Sequence, residues 1–193
     1  AGIPVVAYNV NPAEPVVPVV VGGNYQGGLV GGRAAAEYWM KKFPDVTPKI
    51  AIINQNTIPE VVDRVKGFLE GFSSTYKGKF EVVADLNGGG VRDKAMATME
   101  NILAAHPEVN LVFGINDDSA LGALAALQAA GRGTSDRELV LGFDASEPAV
   151  VEILNPKSAL KMDVGNPPKD MAELTYQVLS KVMKGEKVPQ LQV

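Results

Sequence analysis

From Lys49 onward, short runs rich in β-branched residues alternate with helical patterns at a spacing of roughly 30 residues, the length of one strand-plus-helix unit. The runs cover residues 50–53, 80–84, 111–115, 139–143 and 160–164. This alternation predicts an α/β fold, a doubly wound parallel sheet covered by helices on both faces. The helices between the runs are read from their apolar spacing. Over 59–76, Val62, Val65, Phe68, Leu69 and Phe72 form one stripe, with Asp63, Lys66 and Glu70 on the other side. Over 93–105, Met96, Met99, Ile102 and Leu103 point inward in the same way. Residues 119–130 are so rich in Ala and Leu that this helix should pack closely on the sheet, and Gly131 is placed to end it.

Two stretches depart from the rhythm. Residues 3–8 and 16–21 predict strands separated by a turn-rich connection at 11–15, too short for a helix. Residues 167–184 predict a helix that carries Met171, Leu174, Val178, Leu179 and Val182 inward and closes at Gly185. The chain opens directly into a strand pattern and stops soon after a helix, so further protein is expected before it and after it.

Each of the five runs leads into side chains that hydrogen-bond readily: Asn54, Gln55 and Asn56; Asp85; Asn116, Asp117 and Asp118; Asp144; and Asn166. In an open parallel sheet the carboxyl ends of the strands frame the crevice where ligands bind. The opposite ends carry Lys49, Lys79 and Arg137 instead. The convergence predicts recognition of a small polyhydroxylated molecule. Helix capping is a competing use. An Asn or Asp before an Ala-rich helix stabilises it by about 1 kcal/mol, and Asp144 could likewise cap a helix beginning near Glu147. One side chain can cap while its neighbour faces a ligand. Arg64, beside Asp63 in the first turns of its helix, admits two readings. It is either a solvated ion pair worth about 0 to 1 kcal/mol or a planar guanidinium that donates paired bonds to adjacent hydroxyls.

The glycines at 22, 23, 27, 28, 31 and 32 match neither the P-loop spacing nor G-x-G-x-x-G. They are read as a helix face on which two backbones approach closely. Gly88, Gly89 and Gly90 are read as a strand-to-helix loop at the crevice. The single histidine, His106, sits in a turn remote from the strand carboxyl ends with no evident Ser or Cys partner, so no catalytic or metal-binding role is assigned to it. The absence of cysteine excludes disulfides and thiolate catalysis. A formal charge of -4 without a basic block argues against nucleic acid as a partner. No cofactor and no metal is expected.

Several segments carry a further signal: Gly2-Ile3-Pro4-Val5-Val6, Asp63-Arg64 with Gly67-Phe68, Ala105-His106-Pro107-Glu108-Val109, the run from Asn116 to Ala123, Gly142-Phe143-Asp144, and Met183-Lys184-Gly185-Glu186. In order and spacing they resemble ribose-binding proteins, the periplasmic sugar-binding components of ABC transporters. Their type I periplasmic binding protein fold is shared with the ligand domains of LacI-type repressors. The resemblance implies two Rossmann-like α/β lobes that close on a ligand like a clamp. It assigns residues 1–22 to the last strands of the amino-terminal lobe and 23–165 to the carboxyl-terminal lobe. Residues 166–193 become a hinge crossing and a helix that returns to the first lobe. Most of that first lobe has no counterpart in the chain.

Arg64, Asn116 and Asp144 fall on the family's sugar-binding Arg, Asn and Asp, and Asn166 on a hinge Gln. Asn9, with Val10, takes the place of an Asp-Arg pair, and Gly90 that of a pocket aromatic. These departures point from ribose towards another sugar, a polyol or another small polar ligand. The implied ligand-binding set is Asn9, Arg64, Asn116, Asp144 and Asn166, with no chemistry performed. The implied partners are the ligand, an ABC transporter membrane permease and the missing amino-terminal lobe. The implied location is the periplasm, or the cell exterior with a lipid anchor in a Gram-positive source. Two rival readings are the effector domain of a LacI-type regulator and a nucleotide-dependent doubly wound enzyme; the failed phosphate motifs weaken the second.

Overall fold

The computed structural model of the chain describes residues 3–9, 16–165 and 168–192. In chain order its elements begin with β1 (Ala7–Tyr8), β2 (Val19–Val20), α1 (Asn24–Lys42), β3 (Lys49–Asn54), α2 (Pro59–Thr75), β4 (Glu81–Asn87) and α3 (Arg92–Ala105). They continue with β5 (Leu111–Gly114), α4 (Asp117–Ala129), β6 (Leu139–Phe143), α5 (Glu147–Leu154), β7 (Leu160–Val164), α6 (Pro168–Met183) and β8 (Leu191–Gln192). Two compact units result, Tyr25–Gly165 and the combination of Ala1–Asn24 with Asn166–Val193.

The larger unit holds a five-stranded parallel sheet in the order β4-β3-β5-β6-β7. Helices α1 and α2 cover one face through Ala35, Ala36, Trp39, Val61, Val65, Phe68 and Phe72. On the other face lie α3, α4 and α5, through residues such as Met99, Ile102, Leu124, Leu127 and Ala149. The chain therefore changes face between α2 and α3, and the sheet order puts the resulting switch point between β3 and β5. Both faces being covered explains why β5 and β6 are buried at every position.

The expected glycine packing is realised between α1 and α2. A Cβ placed on Gly28 would come within 2.2 Å of the Arg64 carbonyl oxygen, and one on Gly32 within 2.1 Å of that of Phe68. The reciprocal positions are Gly67 and Gly71, each 2.1 Å from a carbonyl of α1 by the same measure. Gly27 and Gly31 face the sheet instead, against Phe143 and Val164. Turned this way, α2 buries Val65, Phe68 and Phe72 as the pattern suggested, but at the start of the stripe Val61 is buried and Val62 exposed. Leu69 is only partly covered, as are Met96 and Leu103 on α3, where Ala95 takes a buried place.

Strand β4 corrects a second expectation. It runs on to Asn87, and Asp85 lies inside it, in register with Ile52. As an edge strand with solvent along much of its length, β4 tolerates the polar residues that read as a strand end. The predicted ends of β6 and β7 agree with the structure.

In the smaller unit, β2 pairs in parallel with both β1 and β8. Its first two strands are shorter than the sequence pattern suggested, and Pro4 and Pro18 beside them have no N–H to offer a ladder. Helix α6 buries Val178, with Met171, Leu174, Leu179 and Val182 partly covered. The connection at 11–15 and the candidate residue Asn166 lie outside the described residues. No helix among the described residues is long and apolar enough to cross a membrane.

Candidate functional site

Polar groups gather at the carboxyl ends of the strands in the larger unit. At the end of β3, Asn54 donates from Nδ2 to Asp85 Oδ1 at 2.7 Å, while its own Oδ1 accepts the Gln55 N–H. Across the switch point, Asn116 follows β5. Its Oδ1 accepts the Ser119 N–H at 2.9 Å, the N-cap of α4, and its Nδ2 donates to the Gly90 carbonyl at 2.9 Å. The capping reading of this side chain is therefore realised by Asn116 itself. Gly90, at φ +67, lies against both Gln55 and Asn116; a Cβ there would sit 2.6 Å from Gln55 Oε1.

Arg64 projects from the buried stripe of α2 and is 7% exposed. Its guanidinium donates from Nη1 to the Ile115 carbonyl at 2.7 Å, faces Asp144 Oδ1 at 3.4 Å and covers the Phe143 ring. This is not a solvated pair with Asp63. Because α1 comes so close at Gly28, α2 is held down on the sheet with Arg64 directed at the ends of β5 and β6. Burial lowers the Arg64 pKa, while the charges of Asp144, Asp117 and Glu60 raise it. An arginine so supported stays protonated.

Asp144 follows β6 at φ +122, a backbone conformation that residues with a Cβ rarely adopt. It does not cap α5: Ser146 is the N-cap residue, and the Ser146 N–H is taken by Asp117 Oδ2 at 2.5 Å. Burial pushes the Asp144 carboxyl up, Arg64 pulls it down, and Asp117 and Asp118 push it up again, leaving it raised. Arg64, Asn116 and Asp144 thus lie on one rim, with Arg64 touching both the residue before Asn116 and Asp144 itself. Asn9, exposed at φ +53 in the smaller unit, follows β1 and donates its N–H to the Val20 carbonyl.

Two site groups escaped sequence reasoning. The Phe143 ring supports the Arg64 guanidinium from below, and Asp163, inside β7, accepts the Ala145 N–H at 3.0 Å. Asp163 sits in the alternating pattern Leu160-Lys161-Met162-Asp163-Val164, where a carboxylate reads as an ordinary solvent-facing residue, so little in the sequence singled it out.

The arrangement can hold a small neutral molecule by opposing a cationic donor to an anionic acceptor above an apolar floor. The described residues contain no cluster of three or more His, Asp or Glu side chains able to hold a metal ion. Residues 1–187 match the family model described as a periplasmic binding protein domain. The chain is 32% identical to the ribose import binding protein of Salmonella typhimurium, over 83% of its own length and 51% of the relative's. It is also 32% identical to an ABC transporter periplasmic-binding protein of Escherichia coli, over all of the chain and 60% of that protein. Among solved structures, the glucose-galactose binding protein of Geobacillus stearothermophilus superposes with a TM-score of 0.82 at 25% identity, covering 98% of this chain and 65% of that one. The chain therefore spans about half to two thirds of the length of these relatives.

Proposed function

The chain belongs to the periplasmic binding protein family, and on that premise we propose that it is part of the solute-binding component of an ABC importer for a sugar or polyol. The protein binds and releases its ligand unaltered, so it is not an enzyme. The observation that carries this reading is the opposition of Arg64 and Asp144 on the strand-end rim, 3.4 Å apart beside the Asn116 segment. Asp144 accepts from ligand hydroxyls and Arg64 donates to them. Asn116 keeps one amide hydrogen and one lone pair for the ligand after capping α4 and bonding Gly90.

Asn9 and Asn166 are further ligand contacts in this proposal. Residues 1–22 and 166–193 belong to the amino-terminal lobe and hinge, and 23–165 to the carboxyl-terminal lobe. The loaded protein delivers its ligand to a membrane permease from the periplasm or the outer cell surface. Relatives named as import binding proteins favour transport over the LacI-type alternative.

A thermal-shift screen of the full-length gene product against pentoses, hexoses, polyols and nucleotides tests the proposal. A sugar or polyol should raise the unfolding temperature in a dose-dependent way. Stabilisation by a nucleotide alone would overturn it.

A further inference from the structure

Gly142, in β6, separates two carboxyl groups that the ligand contacts do not use. A Cβ on this glycine would lie 2.7 Å from Asp163 Oδ2 and 2.8 Å from Asp117 Oδ1, so both oxygens press on the same point. Both atoms are buried, and neither has a hydrogen-bond partner among the described residues. The second oxygen of each carboxyl is occupied. Asp163 Oδ1 accepts the Ala145 N–H at 3.0 Å, and Asp117 Oδ2 accepts the Ser146 N–H at 2.5 Å. These are the two amides directly after Asp144, in a turn where Asp144 and Ala145 both have positive φ, 122° and 54°. Positive φ at two consecutive non-glycine residues persists only when the surroundings hold it.

We propose that Asp117 and Asp163 are positioning residues that share one proton across Gly142 and, through the Ala145 and Ser146 amides, fix Asp144 opposite Arg64. Two facing buried carboxylates repel, whereas a single proton between Oδ1 and Oδ2 satisfies both unpartnered atoms at once. The functional meaning of the pair rests on the reading of Asp144 as a ligand contact; the proton itself can be tested without any ligand.

The elements packed against β7 are β6, α4 and α5, with α1 against Val164. From β6 and its end come Gly142 and Asp144, and from α4 come Asp117 and its neighbour Asp118. Helix α5 carries Glu147 and Glu152, and the charge of Glu152 acts on Lys161 further back along β7. Helix α1 presents Val30, Gly31 and Ala34 to the groove beside Asp163, none of them titratable. Arg64 pairs with Asp144 and feels the charge of Asp117. Burial first, and then Asp117, push the Asp163 carboxyl from 3.8 up to about 8. Because the folded value exceeds the unfolded one, the folded chain holds more protons between these limits. The pair's contribution to stability is complete below the unfolded value and is lost as pH rises through about 8.

The test is carbon-13 NMR titration of the aspartate carboxyls, with the Ala145 and Ser146 amides as reporters and thermal unfolding in parallel. In the wild-type chain one carboxyl should titrate near pH 8, and both amide shifts should follow the same midpoint. Asp163→Asn replaces the shared proton with an amide N–H and keeps an acceptor for Ala145. In this variant both amide shifts should stay constant across that range. Its unfolding temperature at about pH 9 should equal the wild type's or exceed it by roughly 3 to 5 °C. Asp117→Asn is the matching second variant, with the same expectation should Asp163→Asn fail to fold. Titration of every aspartate below about pH 5 would overturn the proposal, as would amide shifts in a folded variant that still move as in the wild type. Failure of the sugar reading would leave these results unchanged.

Discussion

The guanidinium carbon of Arg64 lies 4.0 Å from the centre of the Phe143 ring, so the cation that faces Asp144 rests on an aromatic side chain from the same strand end. Phe143 is fully buried, and Gly27 of α1 packs against the edge of its ring. The relationship ties helix packing to the site: the glycine contact between α1 and α2 determines how low Arg64 sits, and the ring gives its guanidinium an aromatic face to rest on.

Arg64→Ala should therefore cost stability as well as binding. It removes the cation over the Phe143 ring, leaves the Ile115 carbonyl without the donor it has at 2.7 Å, and opens a gap above Phe143. The expected loss is about 2 to 4 kcal/mol, read from urea unfolding of this chain. Arg64→Lys should lose roughly half as much, because an ammonium neither stacks flat nor forks. Equal stability of Arg64→Ala and wild type would show that the guanidinium is held for binding alone.

The glycine pairs can be separated from glycines that serve only a turn. Gly32→Ala and Gly71→Ala each force a Cβ to within 2.1 Å of a backbone carbonyl oxygen, which no side-chain rotation relieves. Each should cost about 2 kcal/mol or more, because α1 and α2 must move apart. At Gly131, which ends α4 at φ +71, an added Cβ meets nothing within 4 Å. Gly131→Ala should cost only about 1 kcal/mol, for the conformation itself. Calorimetric unfolding of the three variants checks the ranking, and a Gly131→Ala loss as large as the others would contradict it.

Local pattern was enough to read the doubly wound sheet, because strands buried on both faces must be apolar runs and the crossing helices must carry stripes. β6 and β7 were legible to the residue, since Asp144 follows the last apolar residue of β6, and Gly165 with Asn166 follows that of β7. β4 was not, because Asp85, Leu86 and Asn87 carry no burial pattern at a sheet edge. In the glycine contact, Gly28 and Gly32 announced themselves as doublets. Gly67 and Gly71 stood alone within a stripe, and only the folded chain pairs them with α1. At the rim, Arg64 and Asp144 were candidates on separate segments, and nothing local told that they meet or that Phe143 lies beneath. The approach of Asp163 to Asp117 depends on β7 lying beside β6, a tertiary fact with no counterpart in either segment.

At the opposite end of the sheet, Glu138 is almost fully buried and accepts three hydrogen bonds: from Arg132 Nε at 2.8 Å, the Gly133 N–H at 3.1 Å and the Thr134 N–H at 3.2 Å. Arg132 also donates to the Pro107 and Val109 carbonyls, binding the α4–β6 loop to the α3–β5 loop. Glu138→Ala would leave a partly buried guanidinium without its anion, and about 3 to 5 kcal/mol should be lost. Lys49→Ala breaks a more exposed pair with Glu81 and should cost about 0 to 1 kcal/mol. Urea unfolding of both variants tests the contrast, and comparable losses would refute it.

Asp144 should show stability and binding pulling in opposite directions. Its carboxyl is raised above 3.8 by burial and by Asp117 and Asp118, against the pull of Arg64. The unfolded chain therefore releases this proton more readily than the folded one. As pH rises above the unfolded value, the folded state is progressively disfavoured, and at neutral pH the charge at this position is a net burden on the fold. Asp144→Asn removes the charge, keeps a carbonyl acceptor, and places a residue type that tolerates positive φ. Its unfolding temperature at about pH 7 should match or exceed the wild type's, and its stability should fall less between about pH 4 and pH 7. Calorimetry on the full-length gene product with the sugar or polyol found by thermal shift should show affinity weakened roughly 10- to 100-fold, the loss of a hydrogen bond to a charged acceptor. Unchanged affinity would remove Asp144 from the ligand contacts. A melting point several degrees below wild type would mean instead that the Arg64 pair holds the turn, with the carboxylate serving the fold first.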